Sequence, residues 1–247
     1  MIFFEGIDLI EFDLKLENIF SKGRDTFFII KENWDYELAL KFQGEIIQKV
    51  SVNKEKKVFI ICNHSHCLTL GRGLQRRTKA DNNLVDFDEK LRGEIEVPLY
   101  DIKRGGGITF HYPGQLVLYP IISLENQKLK VMDFLKGVLR EIQDLLETQF
   151  SIKNLTCEHD LIGLWHEDKK LASIGLCSHK FITYHGLALN LYRDEKMQAL
   201  LTKVYPCGLS GSRYICLEEV VSGREDFFEV ISMSLLKGSS KSNSLFI

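Results

Sequence analysis

The strongest constraint on the fold is an alternation of amphipathic helical stretches with short apolar runs of strand length. The clearest helix is predicted over residues 131–150, where apolar side chains recur with the 3.6-residue period of a helix. A second is predicted over residues 35–50, where four apolar side chains recur at four-residue steps. Apolar runs at residues 57–62 and 115–122 predict buried strands. An amphipathic helix buries its apolar stripe against a neighbouring layer, so the pattern predicts an α/β protein with helices on a sheet.

The remaining pattern adds short strands and two more helices. Strands are predicted over residues 68–70, 94–103, 160–165, 170–177 and 181–191, and the last three are predicted to pair antiparallel because turn-like or charged residues separate them. One helix is predicted over residues 194–202, and another from Ser222, whose spacing to Glu225 matches a capping box. No repeat and no linker divides the chain, so residues 1–247 are predicted to form a single domain that ends in a polar tail at about residues 237–247.

Charge and hydropathy exclude several classes of function. The chain has 247 residues and a formal net charge of -2, which argues against a protein whose whole surface binds nucleic acid. Its apolar runs are far shorter than the roughly 20 residues that span a bilayer. The N-terminus has neither a basic segment nor a small-residue cleavage site, so a cytoplasmic location without membrane attachment is expected.

Six cysteines without a CxxC pair predict reduced thiols rather than disulfides. Cys62 and Cys67 flank two histidines, which are residue types that bind zinc, but no second ligand pair follows at zinc-finger spacing. No metal site and no cofactor are therefore expected.

Glycine is concentrated in residues 104–115, which contain four of the 18 glycines. A run of three glycines permits positive φ and lets a substrate approach the backbone, although a plain hairpin connection would also use glycine. Arg104 and His111 flank the run and add a donor and a possible base. The chain has no GxxxxGK[ST] loop, and Gly71-x-Gly73 lacks the third glycine of a dinucleotide fingerprint, so no nucleotide-binding motif is present.

Cys207 is the cysteine most typical of a nucleophile. It lies between Pro206 and Gly208 in a predicted loop, whereas the other five lie in or beside predicted strands. Most free cysteines are inert, and a reactive one needs a neighbouring cation that favours the thiolate. Lys169 and Lys170 are candidates, and on a strand only one of them can face a given site.

The order of these motifs resembles that of the lipoyl(octanoyl) transferase family. The resemblance rests on Arg-Gly-Gly followed by Thr and His, Lys before Leu-Ala-Ser-Ile-Gly, His-Gly-Leu-Ala-Leu-Asn, and Pro-Cys-Gly, and it runs from the helix with Tyr36 to about Glu219. Two departures are Tyr112, where the family usually has glycine, and Asn63, where an acidic residue is common. The resemblance implies the fold of the lipoate/biotin protein ligase catalytic domain, with a mixed, largely antiparallel sheet flanked by helices.

The resemblance also implies roles for individual residues. Cys207 matches the acyl-accepting nucleophile, and Lys170 matches its catalytic partner, which removes the ambiguity with Lys169. Three segments match those that bind the acyl substrate: Arg104, Gly105, Gly106, Gly107, Ile108, Thr109, Phe110 and His111; Ser173, Ile174 and Gly175; and Gly186, Leu187 and Ala188.

The implied activity moves an octanoyl group from octanoyl-acyl carrier protein, through a cysteine thioester, to a lysine of a lipoyl domain. The implied acceptors are the lipoyl domains of 2-oxoacid dehydrogenase E2 subunits and the glycine cleavage H protein. Since acyl carrier proteins are typically acidic, the basic segment Arg72–Lys79 is a candidate docking site, although a solvated loop is the simpler interpretation.

Two other classes of function remain open from the sequence. An ATP-dependent lipoate or biotin protein ligase shares the implied fold, but such ligases typically have Ser before the glycines and His-Asp after them, where this chain has Arg104 and His111-Tyr112. A binding module without turnover is the third possibility, and the presence of both Cys207 and Lys170 argues against it.

Overall fold

The protein is built from four α-helices and eleven strands among the residues that the structure describes. The computed structural model describes residues 2–73, 87–157, 161–223 and 226–238. The helices are α1 Tyr36–Val52, α2 Val131–Phe150, α3 Glu195–Leu200 and α4 Phe227–Lys237. The strands are β1 Ile19–Lys22, β2 Thr26–Trp34, β3 Lys57–His64, β4 Cys67–Leu70, β5 Leu99–Asp101, β6 Ile108–His111, β7 Gln115–Ile121, β8 Leu155–Thr156, β9 Gly163–His166, β10 Lys169–His179 and β11 Ile182–Asn190.

The strands form one large and one small sheet. The large sheet has the order β1-β2-β3-β7-β11-β10-β9-β8, and the small sheet has the order β5-β4-β6. Only the β2/β3 and β4/β5 pairs are parallel among the described pairings. The first of these is a βαβ unit, because α1 crosses from the end of β2 to the start of β3. The prediction of an α/β fold with a mixed, largely antiparallel sheet is confirmed.

Helices α1 and α2 cover opposite faces of the large sheet. Side chains alternate along a strand, so Val58 and Ile60 of β3 pack with Phe42 of α1, whereas Phe59 and Ile61 belong to the cluster that contains the apolar stripe of α2. This two-sided burial explains why β3 and β7 are almost continuously apolar.

Aspartate side chains cap the first residues of α1 and α4. The Asp35 carboxylate caps the start of α1, where it accepts a hydrogen bond of 3.0 Å from the Leu38 N–H. The predicted bounds of α2 are confirmed. The predicted start of the last helix at Ser222 is wrong, because the Asp226 carboxylate caps the Glu229 N–H at 3.0 Å and α4 begins at Phe227.

One strand prediction needs correction, and two strands were not predicted. The predicted strand 94–103 is wrong over most of its length, since a 3₁₀ turn occupies Glu89–Glu94 and only Leu99–Asp101 pairs as β5. Pro98 lacks an N–H for a strand ladder and precedes the paired residues. The sequence analysis assigned no element to β1 and β2, which the structure adds at one edge of the large sheet.

None of the helices in the described ranges is both long and apolar enough to cross a bilayer. Residues 74–79 of the basic segment and residues 239–247 of the predicted tail lie outside the described ranges. The single domain and the cytoplasmic location stay predictions.

Candidate active site

Cys207 and Lys170 lie in direct contact although 37 positions separate them in the sequence. The Lys170 Nζ atom donates a hydrogen bond of 3.4 Å to the Cys207 Sγ atom. Lys170 is the second residue of β10 and is only 1% exposed, whereas Lys169 is exposed on the other face of the strand. The structure therefore brings to the thiol the lysine that the resemblance selected.

The Cys207 backbone is held in an uncommon conformation. Its φ of 59° and ψ of 20° lie in the left-handed region, which costs a residue with a side chain about 1–2 kcal/mol. Pro206 begins the turn, and its carbonyl accepts a hydrogen bond from the Tyr214 hydroxyl. The turn leaves Cys207 half-buried and in contact with Lys170.

Lys170 reaches the thiol through a passage that a glycine leaves open. A Cβ atom at Gly163 would lie 2.6 Å from Lys170 Cε and 3.4 Å from its Nζ. The Lys170 Nζ atom also lies 5.5 Å from the centroid of the Trp165 ring, a distance typical of a cation–π contact. Within the described ranges Lys170 forms no ion pair with a carboxylate, and its Nζ atom bonds instead to the Cys207 Sγ atom.

The glycine-rich segment packs against the strand that contains Lys170. The Gly105 N–H donates a 3.0 Å hydrogen bond to the carbonyl of Leu176 on β10. A Cβ atom at Gly175 would lie 2.6 Å from the Gly105 oxygen, so the two backbones can approach only because position 175 is glycine. The buried Arg104 side chain donates to the Thr69 carbonyl and hydroxyl oxygens, each at 2.9 Å.

The three segments predicted to bind an acyl group meet at one narrow pocket. Its free space is about 20 Å³, which is about the volume that one water needs. The predicted residues that line it are Arg104, Thr109, His111, Ser173, Ile174, Gly175, Gly186, Leu187 and Ala188.

Other predicted residues do not line this pocket. Thr109 and His111 on β6 face the pocket, so Ile108 and Phe110 face the other way and pack in the core of the small sheet. Gly105, Gly106 and Gly107 supply backbone contacts beside the pocket instead.

The sequence analysis did not assign five of the residues that line the pocket: Tyr36, Ile102, Val117, Tyr119 and His185. Tyr119 is the one hydroxyl-bearing side chain in the apolar run over residues 116–121 of β7, a signal that could have identified it. His185, like Cys207, has a positive φ, here 57°, and the Gln43 side chain accepts from its N–H at 2.9 Å.

Three buried histidines around the pocket are held in their neutral form. Burial lowers the pKa of His64 to about 4 and that of His185 to about 3. Burial also places the pKa of His111 well below its usual value, and the nearby His64 and Arg104 act in the same direction.

Hydrogen bonds fix the His64 and His111 rings. His64 Nδ1 donates to the Trp34 carbonyl at 2.8 Å, and its Nε2 accepts from the Tyr119 hydroxyl at 2.9 Å. Gln115 donates through its amide nitrogen to the Phe110 carbonyl, so its amide oxygen is left to accept from His111 Nδ1 at 2.8 Å.

The Cys62–Cys67 segment does not form a metal site among the described residues. His64 faces inward to Trp34 and Tyr119, whereas His66 bonds to Asp194 at 2.8 Å. The two histidines therefore take part in separate hydrogen bonds.

The chain is similar to known proteins over most of its length. The model of the lipoyl protein ligase A/B catalytic domain matches residues 35–236. The chain is 33% identical over 195 residues to an octanoyltransferase of Prochlorococcus marinus, covering 77% of this chain and 74% of that protein. It is 30% identical over 206 residues to a chloroplastic octanoyltransferase of Arabidopsis thaliana, covering 81% of this chain and 69% of that protein.

Solved structures share the fold at low identity. P. falciparum LipL1 in complex with lipoate has a TM-score of 0.59 and 13% identity, and the match covers 84% of this chain and 60% of that one. A bipartite lipoate protein ligase from Thermoplasma acidophilum has a TM-score of 0.52 and 12% identity, and the match covers 83% and 80%. The family model spans the Cys207–Lys170 contact and the pocket, and the chain belongs to the lipoyl protein ligase A/B catalytic domain family.

Proposed function

We propose that this protein is an octanoyltransferase that moves an octanoyl group from octanoyl-acyl carrier protein, through a thioester on Cys207, to a lysine side chain of a lipoyl domain. The observation that supports it best is the 3.4 Å contact between Lys170 Nζ and Cys207 Sγ beside a pocket lined by the glycine-containing segments. The relatives named octanoyltransferases support the nature of the transferred group.

In the first step the Cys207 thiolate attacks the carbonyl carbon of the incoming thioester. The carbon–sulfur bond to the carrier breaks, and the departing thiolate takes a proton from the Lys170 ammonium. The products are octanoyl-Cys207, neutral Lys170 and the free thiol of the carrier. One thioester replaces another, so this step needs no ATP.

In the second step the neutral amine of the acceptor lysine attacks octanoyl-Cys207. Its nitrogen gives a proton to Lys170 as the amide forms and the bond to sulfur breaks. The thiolate of Cys207 and the ammonium of Lys170 are restored together. Lys170 suits this role better than His111, because Lys170 contacts the sulfur whereas Gln115 holds His111 in the pocket wall.

The acyl chain occupies the pocket between β6, β10 and β11. Nine residues of the three predicted segments line it, and Ser173, Ile174 and Gly175 follow Lys170 on the same strand. The free space of about 20 Å³ is too small for eight carbons, so the chain enters by displacing side chains of the wall.

The acceptors are lipoyl domains, among them those of 2-oxoacid dehydrogenase E2 subunits and the glycine cleavage H protein. One structural neighbour belongs to a structural analysis of a bipartite lipoate protein ligase and its E2 lipoyl domain, which supports this class of acceptor. The basic segment Arg72–Lys79 is the proposed contact for an acidic acyl carrier protein.

The competing function is an ATP-dependent ligase, since the structural neighbours are ligases of the same fold. Two reactions distinguish the transferase from the ligase. In the first, apo-lipoyl domain receives octanoyl-acyl carrier protein alone, and in the second it receives free octanoate with ATP. With the wild type, we expect octanoylated lipoyl domain from octanoyl-acyl carrier protein alone and none from free octanoate with ATP. With Cys207→Ser, we expect no product from octanoyl-acyl carrier protein. Cys157→Ser is the matched control, because Cys157 is also a half-buried cysteine outside any disulfide. Octanoylation that requires ATP and survives Cys207→Ser would contradict the proposal.

A further inference from the structure

Tyr214 and Ile215 form a bridging segment that contacts the backbone on both sides of the Cys207–Lys170 pair. Tyr214 pairs with Lys170 in a parallel β-bridge, and the Ile215 N–H donates a hydrogen bond of 3.1 Å to the Lys170 carbonyl. The Tyr214 hydroxyl donates to the carbonyl of Pro206, the residue before Cys207. The bridging segment is therefore bonded both to the lysine and to the peptide group that precedes the cysteine.

The bond to the Pro206 carbonyl acts on the strained backbone of Cys207. A peptide group is planar, so the direction of the Pro206 carbonyl also fixes the direction of the Cys207 N–H. Turning this plane about the Cys207 N–Cα bond changes φ, which is 59° and lies in the left-handed region. Such a conformation persists only where the surrounding contacts enforce it. The Leu209 N–H, at 3.2 Å, and the Tyr214 hydroxyl both donate to this carbonyl and supply such contacts.

The bridging segment is itself fixed to the wall of the acyl pocket. The Asn190 side chain, at the end of β11, donates to the Ile215 carbonyl at 3.3 Å and accepts from the Gln115 side chain at 3.1 Å. The Gln115 oxygen accepts in turn from His111 Nδ1 at 2.8 Å. These hydrogen bonds connect the bridging segment to β6, β7 and β11, so the Tyr214 hydroxyl is presented from the sheets of the fold.

We propose that Tyr214 is a positioning residue for octanoyl transfer, whose hydroxyl orients the peptide group before Cys207 and so sets the sulfur at the distance where it meets Lys170. The proposal rests on the two-step function given above. It goes beyond that function because it assigns the geometry of the reacting pair to a third side chain.

This role changes the rate of the covalent steps and leaves carrier binding unchanged. The contact of 3.4 Å between Lys170 Nζ and Cys207 Sγ is needed for both steps, and misplacing a reacting group by about 1 Å can slow a reaction about 10²-fold. Without the hydroxyl, the Leu209 N–H still holds the Pro206 carbonyl, so we expect a smaller loss. The described residues that line the acyl pocket do not include Tyr214, so binding of the acyl chain should not depend on it.

Tyr214→Phe tests the proposal, because it removes the hydroxyl and keeps the ring that packs in the core of the small sheet. Single-turnover acylation of Cys207 by saturating octanoyl-acyl carrier protein should slow about three- to tenfold, while the carrier concentration that gives half the maximal rate changes less than about twofold. Tyr205→Phe is the matched control. The Tyr205 hydroxyl donates instead to the Thr202 carbonyl at 3.5 Å, so this variant should react at the wild-type rate.

A double-mutant comparison separates positioning from a general loss of structure. In Lys170→Ala the contact that Tyr214 maintains is already absent, so adding Tyr214→Phe should slow acylation less than about twofold further. An equal loss with and without Lys170 would overturn the proposal, as would a wild-type rate in Tyr214→Phe or a loss confined to carrier binding. Failure of the wild type to form octanoyl-Cys207 would instead refute the proposed function, which distinguishes the two failures.

Discussion

Lys170 is a buried amine that contacts the Cys207 thiol. Its 1% exposure removes it from water, and burying an unpaired charge is costly. In the proposed mechanism the Cys207 thiolate and the Lys170 ammonium offset each other's charge. The lysine and the cysteine could be predicted from the motif order. His185 could not, because one sequence does not reveal that its side chain meets Tyr119 across separate strands.

Substitution of Lys170 tests whether the reactivity of Cys207 depends on the lysine. Lys170→Ala should slow acylation of Cys207 by octanoyl-acyl carrier protein by about 10²-fold, because the thiolate loses its cation and the leaving thiolate loses its acid. Lys169→Ala is the matched control, since Lys169 is the neighbouring but exposed lysine. Stopped-flow or quenched acylation across neutral pH measures the effect. A wild-type rate in Lys170→Ala would remove Lys170 from the mechanism.

The elements that surround the site could not all be predicted equally well from the sequence. Helix α2 could be predicted to the residue, because apolar side chains repeat with one helical period over twenty positions. In the structure, Ser151 ends the helix with a left-handed φ of 56°. The parallel β2/β3 pair could not, because it depends on the crossover through α1 and on pairing between distant segments. The contact between β10 and the glycine-rich segment is equally non-local.

Gly175 tests whether that contact shapes the acyl pocket. Gly175→Ala would place a Cβ 2.6 Å from the Gly105 oxygen, so the glycine-rich segment must move away from β10. We expect the KM for octanoyl-acyl carrier protein to rise about tenfold or more, because small displacements of substrate-positioning groups are costly. Gly44→Ala is the control, since a Cβ there meets no atom within 4 Å, and it should stabilise α1 by about 0.5–1 kcal/mol. An unchanged KM in Gly175→Ala would show that the close approach does not shape the pocket.

The whole molecule buries a set of neutral histidines between the two sheets and α1. Unfolding exposes them, and their pKa values return to about 6.5, so the unfolded chain binds more protons below that pH. The native pKa of His64 is about 4 and that of His185 about 3. Their stabilising effect is therefore complete above about pH 6.5 and is lost progressively as the pH falls towards 4 and below.

These pKa differences predict that the free energy of unfolding falls in acid and that one substitution reduces this fall. Urea unfolding should show a free energy of unfolding several kcal/mol lower near pH 4.5 than at pH 7, since each unit of pKa difference corresponds to about 1.4 kcal/mol. His64→Gln should flatten this dependence, although it also weakens the contact with Tyr119. His179→Gln alters an exposed histidine and should leave the dependence unchanged. Identical pH dependence in the wild type, His64→Gln and His179→Gln would contradict the assignment of the acid sensitivity to the buried histidines.

The covalent intermediate on Cys207 distinguishes a transferase of this design from a ligase or a binding module. Purified protein is incubated with octanoyl-acyl carrier protein, without ATP or acceptor, and its intact mass is measured under conditions that preserve thioesters. We expect a mass gain of one octanoyl group that hydroxylamine removes and that Cys207→Ser lacks. An unmodified wild type, or an adduct that persists in Cys207→Ser, would contradict the assignment of Cys207 as the acyl carrier.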